Sequence, residues 1–479
     1  MLGYAAVLAW ISPLFSNGLS ISLLPAYGLV GLSVAAGGIF LLLPALIRAG
    51  PDLGHGLRGP LLWILAVGLA MRLALLFSDP ILETDFHRYL WDGAVLFGGM
   101  SPYELSPLEV LNGVAPPAYD GLRAAGANTL ERVNHPHLTT IYPPVAQSAF
   151  ALSHWLGPWD LVVWRALLLV AEGVTLFLLL SLLRHLGRSP LWISLYWLNP
   201  LIVKELVNGA HMDALLLPCL LASVLLLYRG RAYGALAALL LACGIKLWPV
   251  LLLPLVARQA AADWREGAWM LSLFGLGLAL ITLPMTWPLV AALQSGASAK
   301  GAGVVAFGVG WAMNDGFFQL AEAAWRGLLA LIGTDQAGAD QVLAGLLARV
   351  MIGMGLVALC LWINWERARD DAELAKRALI CIAALFLLSP AQFPWYYSWM
   401  VPFLVLCPSF PLLLLTALLP LYGLRFPLEA VGQADLFDHG VVWLEYLPVW
   451  LLLGLAWWSS RDRALLAARL SGPLREGPT

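Results

Sequence analysis

The sequence predicts an all-α polytopic membrane protein that crosses the bilayer many times. Hydrophobic residues make up 61% of its 479 residues, and charged residues make up only 12%. In soluble domains roughly a quarter of the residues are charged, so this composition excludes an ordinary soluble fold. Apolar runs recur along the whole chain, and their number predicts about 12–14 transmembrane helices.

The apolar runs differ in length and continuity. The clear candidates for spans of about 20 residues lie at 26–48, 61–78, 160–183, 212–228, 268–285, 341–364 and 442–460. Shorter apolar pieces, several of them broken by proline or glycine, lie at 190–203, 233–244, 247–257, 378–388, 398–407 and 409–423. Short or broken helices at membrane depth are stable only inside a helix bundle or beside a watery cavity. We therefore expect a cavity within the bundle.

Most of the chain is expected to form one membrane domain. Residues 1–59 are predicted to be extra N-terminal transmembrane helices, because the start is uncharged up to Arg48 and lacks the pattern of a cleaved signal peptide. Residues 60–460 are predicted to form the main transmembrane domain, and residues 461–479 a short polar tail in the cytoplasm.

The distribution of cations predicts the orientation of the chain. About 16 of the 27 lysines and arginines fall in loops and a tail that 12–14 crossings place on one side of the membrane. Cytoplasmic loops are enriched in these residues, so that side is predicted to be the cytoplasm. The opposite side then holds two long segments, 79–159 and 286–340, which are the only places large enough for a working surface.

Composition and absent motifs exclude several functions. A net charge of −2 gives no reason to expect a nucleic-acid partner. The five cysteines are scattered in apolar runs without a C-x-x-C pair, which is typical of buried free thiols. The sequence contains no phosphate-binding loop of the G-x-x-x-x-G-K-[ST] type, so an ATP-driven pump is not indicated.

The first outer segment opens with a dense polar cluster directly after a predicted span. Asp85, Arg88, Tyr89 and Asp92 have the spacing that places side chains on one face of a helix, whereas Glu83 is expected to point elsewhere. Carboxylates at the mouth of a spanning helix are costly and tend to be functional. The alternative is a solvated amphipathic helix on the membrane surface.

A second polar cluster follows between two later apolar runs. It contains Lys204, Glu205, His211 and Asp213. The first two could simply pair with each other, and the last two could only mark the start of the next helix. Lys246 is the sharper candidate, because it lies in an otherwise uncharged apolar hairpin and its burial costs ~2.5–3.5 kcal/mol. It is expected to pair with a carboxylate, to bind an anionic ligand, or to reach the cytoplasmic edge.

Other candidates are aromatic or lie in turns. The His135-Pro136-His137 segment has no spacing typical of a zinc site, so it is expected to form a structural turn. The side chains of Tyr103, Tyr142, Trp395 and Tyr396 are candidates for substrate contact, although packing or an interfacial aromatic belt explains them equally well.

Taken in order, these pieces resemble the GT-C superfamily of membrane glycosyltransferases. The likeness spans about residues 60–460 and is strongest to the bacterial polyprenol-phosphate-mannose-dependent mannosyltransferases, including glycosyltransferase family 87. The motifs that carry it are Asp85-x-x-Arg88-Tyr89-x-Trp91-Asp92-Gly93, Gly98-Gly99-x-Ser101-Pro102-Tyr103, Tyr142-Pro143-Pro144, Asn199-Pro200 with Lys204-Glu205, His211-x-Asp213, Lys246-x-x-Pro249 and Pro394-Trp395-Tyr396. The resemblance implies a lipid-phosphate sugar donor, a glycolipid or glycan acceptor, and a carboxylate base in the first outer loop. That base maps onto Asp85, with Glu83 as a substitute.

Elementary chemistry agrees with this reading. Nucleotide sugars are cytoplasmic, so a transferase working on the outer face of a bacterial inner membrane needs a donor delivered through the membrane, such as a polyprenyl-phosphate sugar. One carboxylate base then suffices, and inversion by single displacement is expected without a metal or another cofactor. Cations must hold the departing phosphate, and Lys204, Lys246 and either His211 or Arg88 are the candidates. The alternative is a secondary transporter or a lipid-linked sugar flippase, for which an inverted repeat would be expected.

Overall fold

The computed structural model describes residues 1–15, 23–49, 56–294, 303–332 and 337–470. Within these ranges every regular element is a helix, and the only extended pairing is a single bridge between Met313 and Ala391. The α-helices run α1 Leu2–Ile11, α2 Leu23–Phe40, α3 Leu43–Ala49, α4 Arg58–Leu76, α5 Asp85–Phe97, α6 Pro107–Leu111, α7 Asp120–Ala125, α8 Ala127–Leu130, α9 Pro144–Leu156, α10 Leu161–His185, α11 Ser194–Trp197, α12 Pro200–Ile202, α13 Leu216–Tyr228, α14 Ala232–Ile245, α15 Leu253–Ala260, α16 Trp264–Gln294, α17 Gly303–Gly310, α18 Phe317–Ile332, α19 Ala337–Ile363, α20 Asp371–Leu388, α21 Val401–Leu406, α22 Phe410–Leu413, α23 Leu415–Leu418, α24 Arg425–Ala430, α25 Ala434–Leu436 and α26 Val442–Leu470.

The predicted class, an all-α polytopic membrane protein, is confirmed. In the described ranges seven helices are long and apolar enough to cross a membrane: Leu23–Ala49, Arg58–Leu76, Leu161–His185, Trp264–Pro288, Gln341–Ile363, Phe410–Ala430 and Ala434–Ser459. This count of full-length spans is lower than 12–14, because several apolar runs form shorter helices. Two of these, Leu2–Phe15 and Ala232–Ile245, are too short to span by themselves.

The predicted division into segments at residues 60 and 461 stays a prediction. Side chains of the first two helices, such as Tyr4 and Leu29, belong to the same apolar core as the main bundle. The predicted tail begins inside helix α26, which continues to Leu470, and residues 471–479 lie outside the described part of the chain.

One apolar segment is sharply broken. The helical segments Pro200–Asn208 and Met212–Tyr228 meet at an angle of 103°, and together they amount to at most one further span. Residues Val203–Asn208 form a π-helix, and Ala210 follows in the left-handed conformation with φ +57°. Such π-helical turns are rare and frequently lie at functional sites. The break places the second polar cluster inside the bundle, which agrees with the expectation that broken helices border a cavity.

Helix α5, which carries the first polar cluster, is buried. Each of its residues from Phe86 to Val95 is buried, so the alternative of a solvated surface helix is wrong. Gly93 allows the close packing against α9, because a Cβ atom there would lie 2.4 Å from the carbonyl oxygen of Phe150. The helix ends at Phe97, and Gly99 turns the chain with φ +77°.

A buried ion pair joins α4 to α10. The Arg72 guanidinium donates to both carboxylate oxygens of Glu172, at 3.0 and 2.7 Å, and both side chains are inaccessible to solvent. It also donates to the carbonyl oxygen of Trp197 at 2.8 Å and lies 3.6 Å from the centre of that indole ring. Sequence reasoning did not single out this pair, although both residues interrupt predicted spans.

Replacing Glu172 by Gln is expected to lower the free energy of unfolding by about 3–5 kcal/mol, because the Arg72 charge is left buried without its counter-charge. The control is Asp120→Asn, which breaks the exposed Asp120–Arg123 pair and should cost no more than about 1 kcal/mol. Denaturant titration of the detergent-solubilised protein measures both. Equal stability of the wild type and Glu172→Gln would contradict this account.

Candidate active site

A cavity of about 660 Å³ lies where the separate polar segments of the sequence meet. Its wall includes the loop before α5, the turn at 134–143, the break after residue 211, and the segments at 246–248 and 389–399. Each of these segments is short or irregular, so side chains rather than a regular helix surface line the cavity. The predicted site residues in its wall are Glu83, Asp85, Arg88, Tyr89, Tyr142, Asp213, Lys246, Trp395 and Tyr396.

Glu83 and Asp85 lie in the polar wall of the cavity, and His211, which does not line it, contacts Glu83 from behind. The Nε2 atom of His211 lies 2.9 Å from Oε2 of Glu83, and the imidazole is fully buried. The other oxygen of Glu83 accepts hydrogen bonds from the backbone N–H groups of Thr84 and Asp85, both at 2.8 Å. The expectation that Glu83 points away from Asp85 is therefore wrong. Helix α5 begins only at Asp85, so helical spacing does not apply to Glu83.

The hydrogen bonds of Glu83 and Asp85 give the two carboxyl groups different structural roles. Glu83 satisfies backbone donors at the start of α5, as a capping residue does. Asp85, by contrast, is held by a side chain: Nδ2 of Asn134 donates to its Oδ1 at 2.5 Å. The Asp85 side chain therefore does not cap α5.

The two carboxyl groups differ in their electrostatics. Burial raises the pKa of Asp85 to about 6, and the neighbouring negative charge of Glu83 acts in the same direction. Burial also opposes ionisation of Glu83, but the charge and hydrogen bond of His211 outweigh it and hold the pKa of Glu83 below its ordinary value. At neutral pH, Glu83 is thus the permanent anion and Asp85 the carboxyl group that can take up a proton.

The remaining residues of the α5 face do not contact Asp85. Arg88 donates to the carbonyl oxygens of Asn134, His135 and Leu138 at 3.2, 3.0 and 3.1 Å, so it holds the turn that carries Asn134. The expected role of Arg88 in orienting Asp85 is therefore indirect. Asp92 lies outside the cavity wall and accepts a hydrogen bond from Gln147 at 3.1 Å, which fits support of the helix packing.

The aromatic ring of Tyr89 lines the cavity and stacks on Phe150, with ring centres 4.9 Å apart. Tyr142 also lines the cavity, whereas Tyr103 does not; the Tyr103 hydroxyl donates to the carbonyl oxygen of Tyr142 at 2.8 Å. Tyr103 therefore supports the wall from behind instead of contacting its contents.

Lys246 pairs with a carboxylate inside the cavity, as one of its predicted roles required. Its Nζ lies 2.7 Å from Oδ1 of Asp213, and the indole N–H of Trp399 donates to the same oxygen at 2.5 Å. The ammonium group also lies 4.1 Å from the ring centre of Tyr396. The structure thus shows the pairing with a carboxylate, and the Lys246 side chain lines the cavity beside these aromatic rings.

Lys204 and Glu205 form an ion pair of 3.0 Å, which was the simpler of the two predicted roles. Lys204 lies outside the wall of the main cavity and instead lines a neighbouring space of about 40 Å³. Glu205 approaches the buried imidazole of His211, with Oε2 3.7 Å from Nε2. The pair therefore lies behind the Glu83–His211 contact, and Lys204 is not placed to contact a ligand in the main cavity.

The structure adds cavity residues that sequence reasoning missed. Asn134 was interpreted only as part of a turn; the turn is confirmed, and its asparagine reaches Asp85. Trp311 and Arg425 also line the cavity, although neither stood out in the sequence. Pairing of Met313 with Ala391 brings the outer segment of Trp311 to the cavity wall, a contact between distant segments that no local pattern signals.

The central side chains also have the chemistry of a ligand set. One ligand atom from each of Glu83, Asp85 and His211 lies within 4.8 Å of the others in the described part of the chain. Carboxylates and imidazole suit several divalent cations. The expectation that no metal is needed stays a prediction.

The apolar helices and the cavity between them define a multi-pass membrane protein with an internal site, the class to which the membrane glycosyltransferases belong. The chain belongs to glycosyltransferase family 87, whose model it matches over residues 140–390, and over residues 2–262 it also matches the model described as alpha-(1->6)-mannopyranosyltransferase, N-terminal domain. The family resemblance inferred from the sequence is thereby confirmed.

Three curated relatives carry a related description. The chain is 26% identical to alpha-(1->6)-mannopyranosyltransferase A of Mycobacterium tuberculosis, over 68% of this chain and 61% of the relative. It is 24% identical to the protein of the same name from Corynebacterium glutamicum, over 39% of this chain and 36% of the relative. It is also 24% identical to a probable alpha-(1->6)-mannopyranosyltransferase of Mycolicibacterium smegmatis, over 68% of this chain and 62% of the relative. The matches thus span less than two thirds of the relatives' own length, and no solved structure matches the chain.

Replacing Glu83 by Ala is expected to lower the free energy of unfolding by more than the about 0.5–2 kcal/mol of a lost helix cap, because the first backbone N–H groups of α5 lose their acceptor and the buried imidazole of His211 also loses its partner. Asp85→Asn is the matched control and should leave stability nearly unchanged, since Asn is nearly isosteric and partly exposed. Thermal unfolding of the two purified variants side by side measures the difference. A larger loss for Asp85→Asn would reverse the assignment of the capping residue.

Proposed function

We propose that the protein transfers a mannosyl residue from a polyprenyl-phosphate donor to a glycan or glycolipid acceptor at the outer face of a bacterial inner membrane. Family membership and the names of the relatives support mannosyl transfer. The observation that carries the proposal is the Asp85 carboxyl group, held by Asn134 in a cavity that also contains the ammonium group of Lys246.

Asp85 is the general base of the proposed reaction. It accepts the proton of an acceptor hydroxyl group while the hydroxyl oxygen forms a bond to the anomeric carbon of the donor sugar. The bond from that carbon to the phosphate oxygen breaks, and the polyprenyl phosphate leaves with the electron pair. A single displacement of this kind inverts the anomeric configuration. The phosphate is a good leaving group, so no general acid is required.

Lys246 stabilises the departing phosphate in this proposal. A preorganised cation near developing negative charge lowers the barrier because it does not have to reorganise during the reaction. The Asp213 carboxylate and the rings of Tyr396 and Trp399 hold the ammonium group in place before the donor binds. Because Lys204 is paired with Glu205 outside the main cavity, the proposal assigns the phosphate contact to Lys246 alone.

The apolar part of the cavity suits a lipid chain. Leu247, Met285, Phe307 and Leu385 line the same cavity as the charged residues, and Met285 lies within the candidate span Trp264–Pro288. An isoprenoid tail buries apolar surface against such side chains, while its phosphate lies at the polar wall. This arrangement supports a donor that is carried by a lipid.

The proposed orientation rests on the cation distribution of the loops, which assigns the arginine-rich side to the cytoplasm. The loop before α5 then opens to the opposite side, where a glycan acceptor is present.

A transporter or flippase remains the competing class, but membership of a glycosyltransferase family favours transfer. One assay distinguishes a glycosyltransferase from a transporter or flippase. Purified protein is incubated with radiolabelled polyprenyl-phosphate mannose and a short mannose oligosaccharide, and labelled oligosaccharide is the expected product. Movement of the donor across vesicle membranes without any labelled oligosaccharide would overturn the proposal. Proton NMR of the product linkage reports inversion or retention.

Replacing Asp85 by Asn is expected to lower turnover by about 10²–10⁴-fold, the usual contribution of a general base. Turnover is measured by oligosaccharide labelling at saturating donor, with folding verified by an unchanged melting temperature. Asp92→Asn is the control on the same helix, because Asp92 lies outside the cavity wall. Near wild-type turnover of a folded Asp85→Asn enzyme would exclude Asp85 as the base.

The pH profile should show the titration of Asp85. The base is active only when unprotonated, and its pKa is raised to about 6, so kcat/KM is expected to rise with pH up to about this value and then to level off. The hydrogen bond from Asn134 favours the carboxylate form, so Asn134→Ala should move the acidic limb to higher pH. An acidic limb that stays in place in Asn134→Ala would contradict the role of this hydrogen bond.

Lys246→Met is expected to weaken donor binding by about tenfold to a hundredfold, which is the range of one charge-assisted hydrogen bond. Lys204→Met is the matched control, because its side chain does not line the cavity. Donor affinity is measured by competition with polyprenyl phosphate that lacks a sugar. If Lys204→Met weakens binding and Lys246→Met does not, the phosphate contacts have been assigned to the wrong lysine.

A further inference from the structure

Trp395, one of the aromatic residues singled out from the sequence, is already covered by other rings. Trp395 stacks on Phe393 with ring centres 4.5 Å apart and planes at 10°, and on His211 at 4.0 Å and 15°. Two rings that stack this closely on one ring cannot share a face, so both faces of Trp395 are occupied. A pyranose ring therefore cannot stack on Trp395 without displacing one of its neighbours.

Trp399 is covered in the same way. It stacks on Tyr396 at 4.3 Å and 21°, and on Trp248 at 4.9 Å and 27°. Lys246 Nζ lies 4.1 Å from the ring centre of Tyr396 and 4.9 Å from that of Trp399, so these two rings hold the ammonium group.

The ring of Trp311 is less covered by other rings than those of Trp395 and Trp399. It lines the cavity and is partly exposed. In the described residues its ring neighbours are His135, which meets it edge to face at 4.4 Å and 73°, and Phe307, which is tilted at 5.8 Å and 32°. Neither ring lies parallel on the indole, so an indole face is available to a ligand in the cavity.

The backbone around Trp311 is fixed. The Arg349 guanidinium donates to the carbonyl oxygen of Trp311 at 3.0 Å. Two residues further on, the N–H of Met313 donates to the carbonyl oxygen of Pro390 at 2.8 Å, and its carbonyl oxygen accepts from Gln392 at 3.0 Å. A ring that is held before the ligand arrives loses little conformational entropy on binding.

The same turn connects Trp311 to the base. His135 contacts the indole, and the preceding residue, Asn134, donates to Asp85. Arg88 holds the carbonyl oxygens of both residues, and His135 keeps a left-handed conformation with φ +46°. Non-glycine residues in this conformation carry strain and cluster at ligand-binding positions. One anchored turn thus sets the position of the indole relative to the Asp85 carboxyl group.

We propose that Trp311 is the platform on which the acceptor sugar stacks, and this inference rests on the function proposed above. The apolar C–H face of a pyranose ring packs on the indole, and the polar edge of the ring presents a hydroxyl group to Asp85. An apolar surface beside a few placed polar groups is the usual composition of a small-molecule site. The acceptor is then recognised by its terminal pyranose ring, on a different wall element from the Lys246 cluster.

The test combines kinetics with direct binding. Trp311→Ala should raise the KM for a short α-(1->6)-linked mannose oligosaccharide about tenfold, which corresponds to ~1.4 kcal/mol, while the KM for the donor stays unchanged. Trp311→Phe keeps a flat apolar ring and should retain most of the affinity. Trp155→Ala is the matched control, because Trp155 is exposed at the end of α9 and lies outside the cavity wall; its KM should stay within about twofold of wild type.

Saturation-transfer NMR on the purified protein measures oligosaccharide binding without any transfer. The expected result is a signal for wild type, Trp311→Phe and Trp155→Ala that is lost in Trp311→Ala. A signal of equal strength in Trp311→Ala, or none in the wild type, would overturn the platform. Binding that depends on Trp311 in a protein that transfers no mannose would uphold the platform and refute the proposed function instead.

Discussion

The buried side-chain amide of Asn208 makes three hydrogen bonds that join the broken helical segment to the loop before α5. The Asn208 side chain donates to the hydroxyl of Ser78 at 2.8 Å and to the carbonyl oxygen of Asp79 at 2.7 Å, and it accepts from the N–H of Ile81 at 2.9 Å. Asn208 ends the π-helix of the broken segment, and the three partners belong to the loop that leads into α5. The meeting of Glu83 with His211 depends on this junction. Buried backbone groups of such a loop would otherwise lack partners, at a cost comparable to a lost hydrogen bond for each.

The bundle keeps ionisable side chains buried beside the cavity by setting groups of opposite charge against each other. His211 lies between Glu83 and Glu205, and Lys246 faces Asp213. The aromatic segment Pro394–Trp399 contacts both sets of charged side chains. Trp395 stacks on His211, and Trp399 donates a hydrogen bond to Asp213. Buried ion pairs contribute little net stability, because the loss of hydration offsets the attraction. Their value here lies in holding a set of ionised side chains in fixed positions.

The sequence predicted the helical class, the cavity beside broken helices and most of the charged residues in its wall. These predictions succeeded because an ionisable residue in an apolar run is costly, so Lys246 and Asp213 stand out without any knowledge of their neighbours. The orientation of Glu83 was predicted wrongly because α5 begins only at Asp85, so helical spacing does not apply to Glu83. Asn134 and Trp311 were missed for another reason. Each reaches the cavity through contacts between segments far apart in the chain, and local periodicity carries no information about which segments meet.

The size of the cavity has a consequence for the fidelity of the chemistry. A space of about 660 Å³ with a carboxylate in its wall holds water until substrates fill it. Water is itself a nucleophile, and a base that can deprotonate a sugar hydroxyl can also deprotonate water. The donor would then be hydrolysed, and an activated sugar wasted, whenever it occupied the cavity alone. In the proposed reaction, fidelity depends on the acceptor displacing water from beside Asp85 before the donor reacts, so the order in which the two substrates enter becomes as important as the strength of the base.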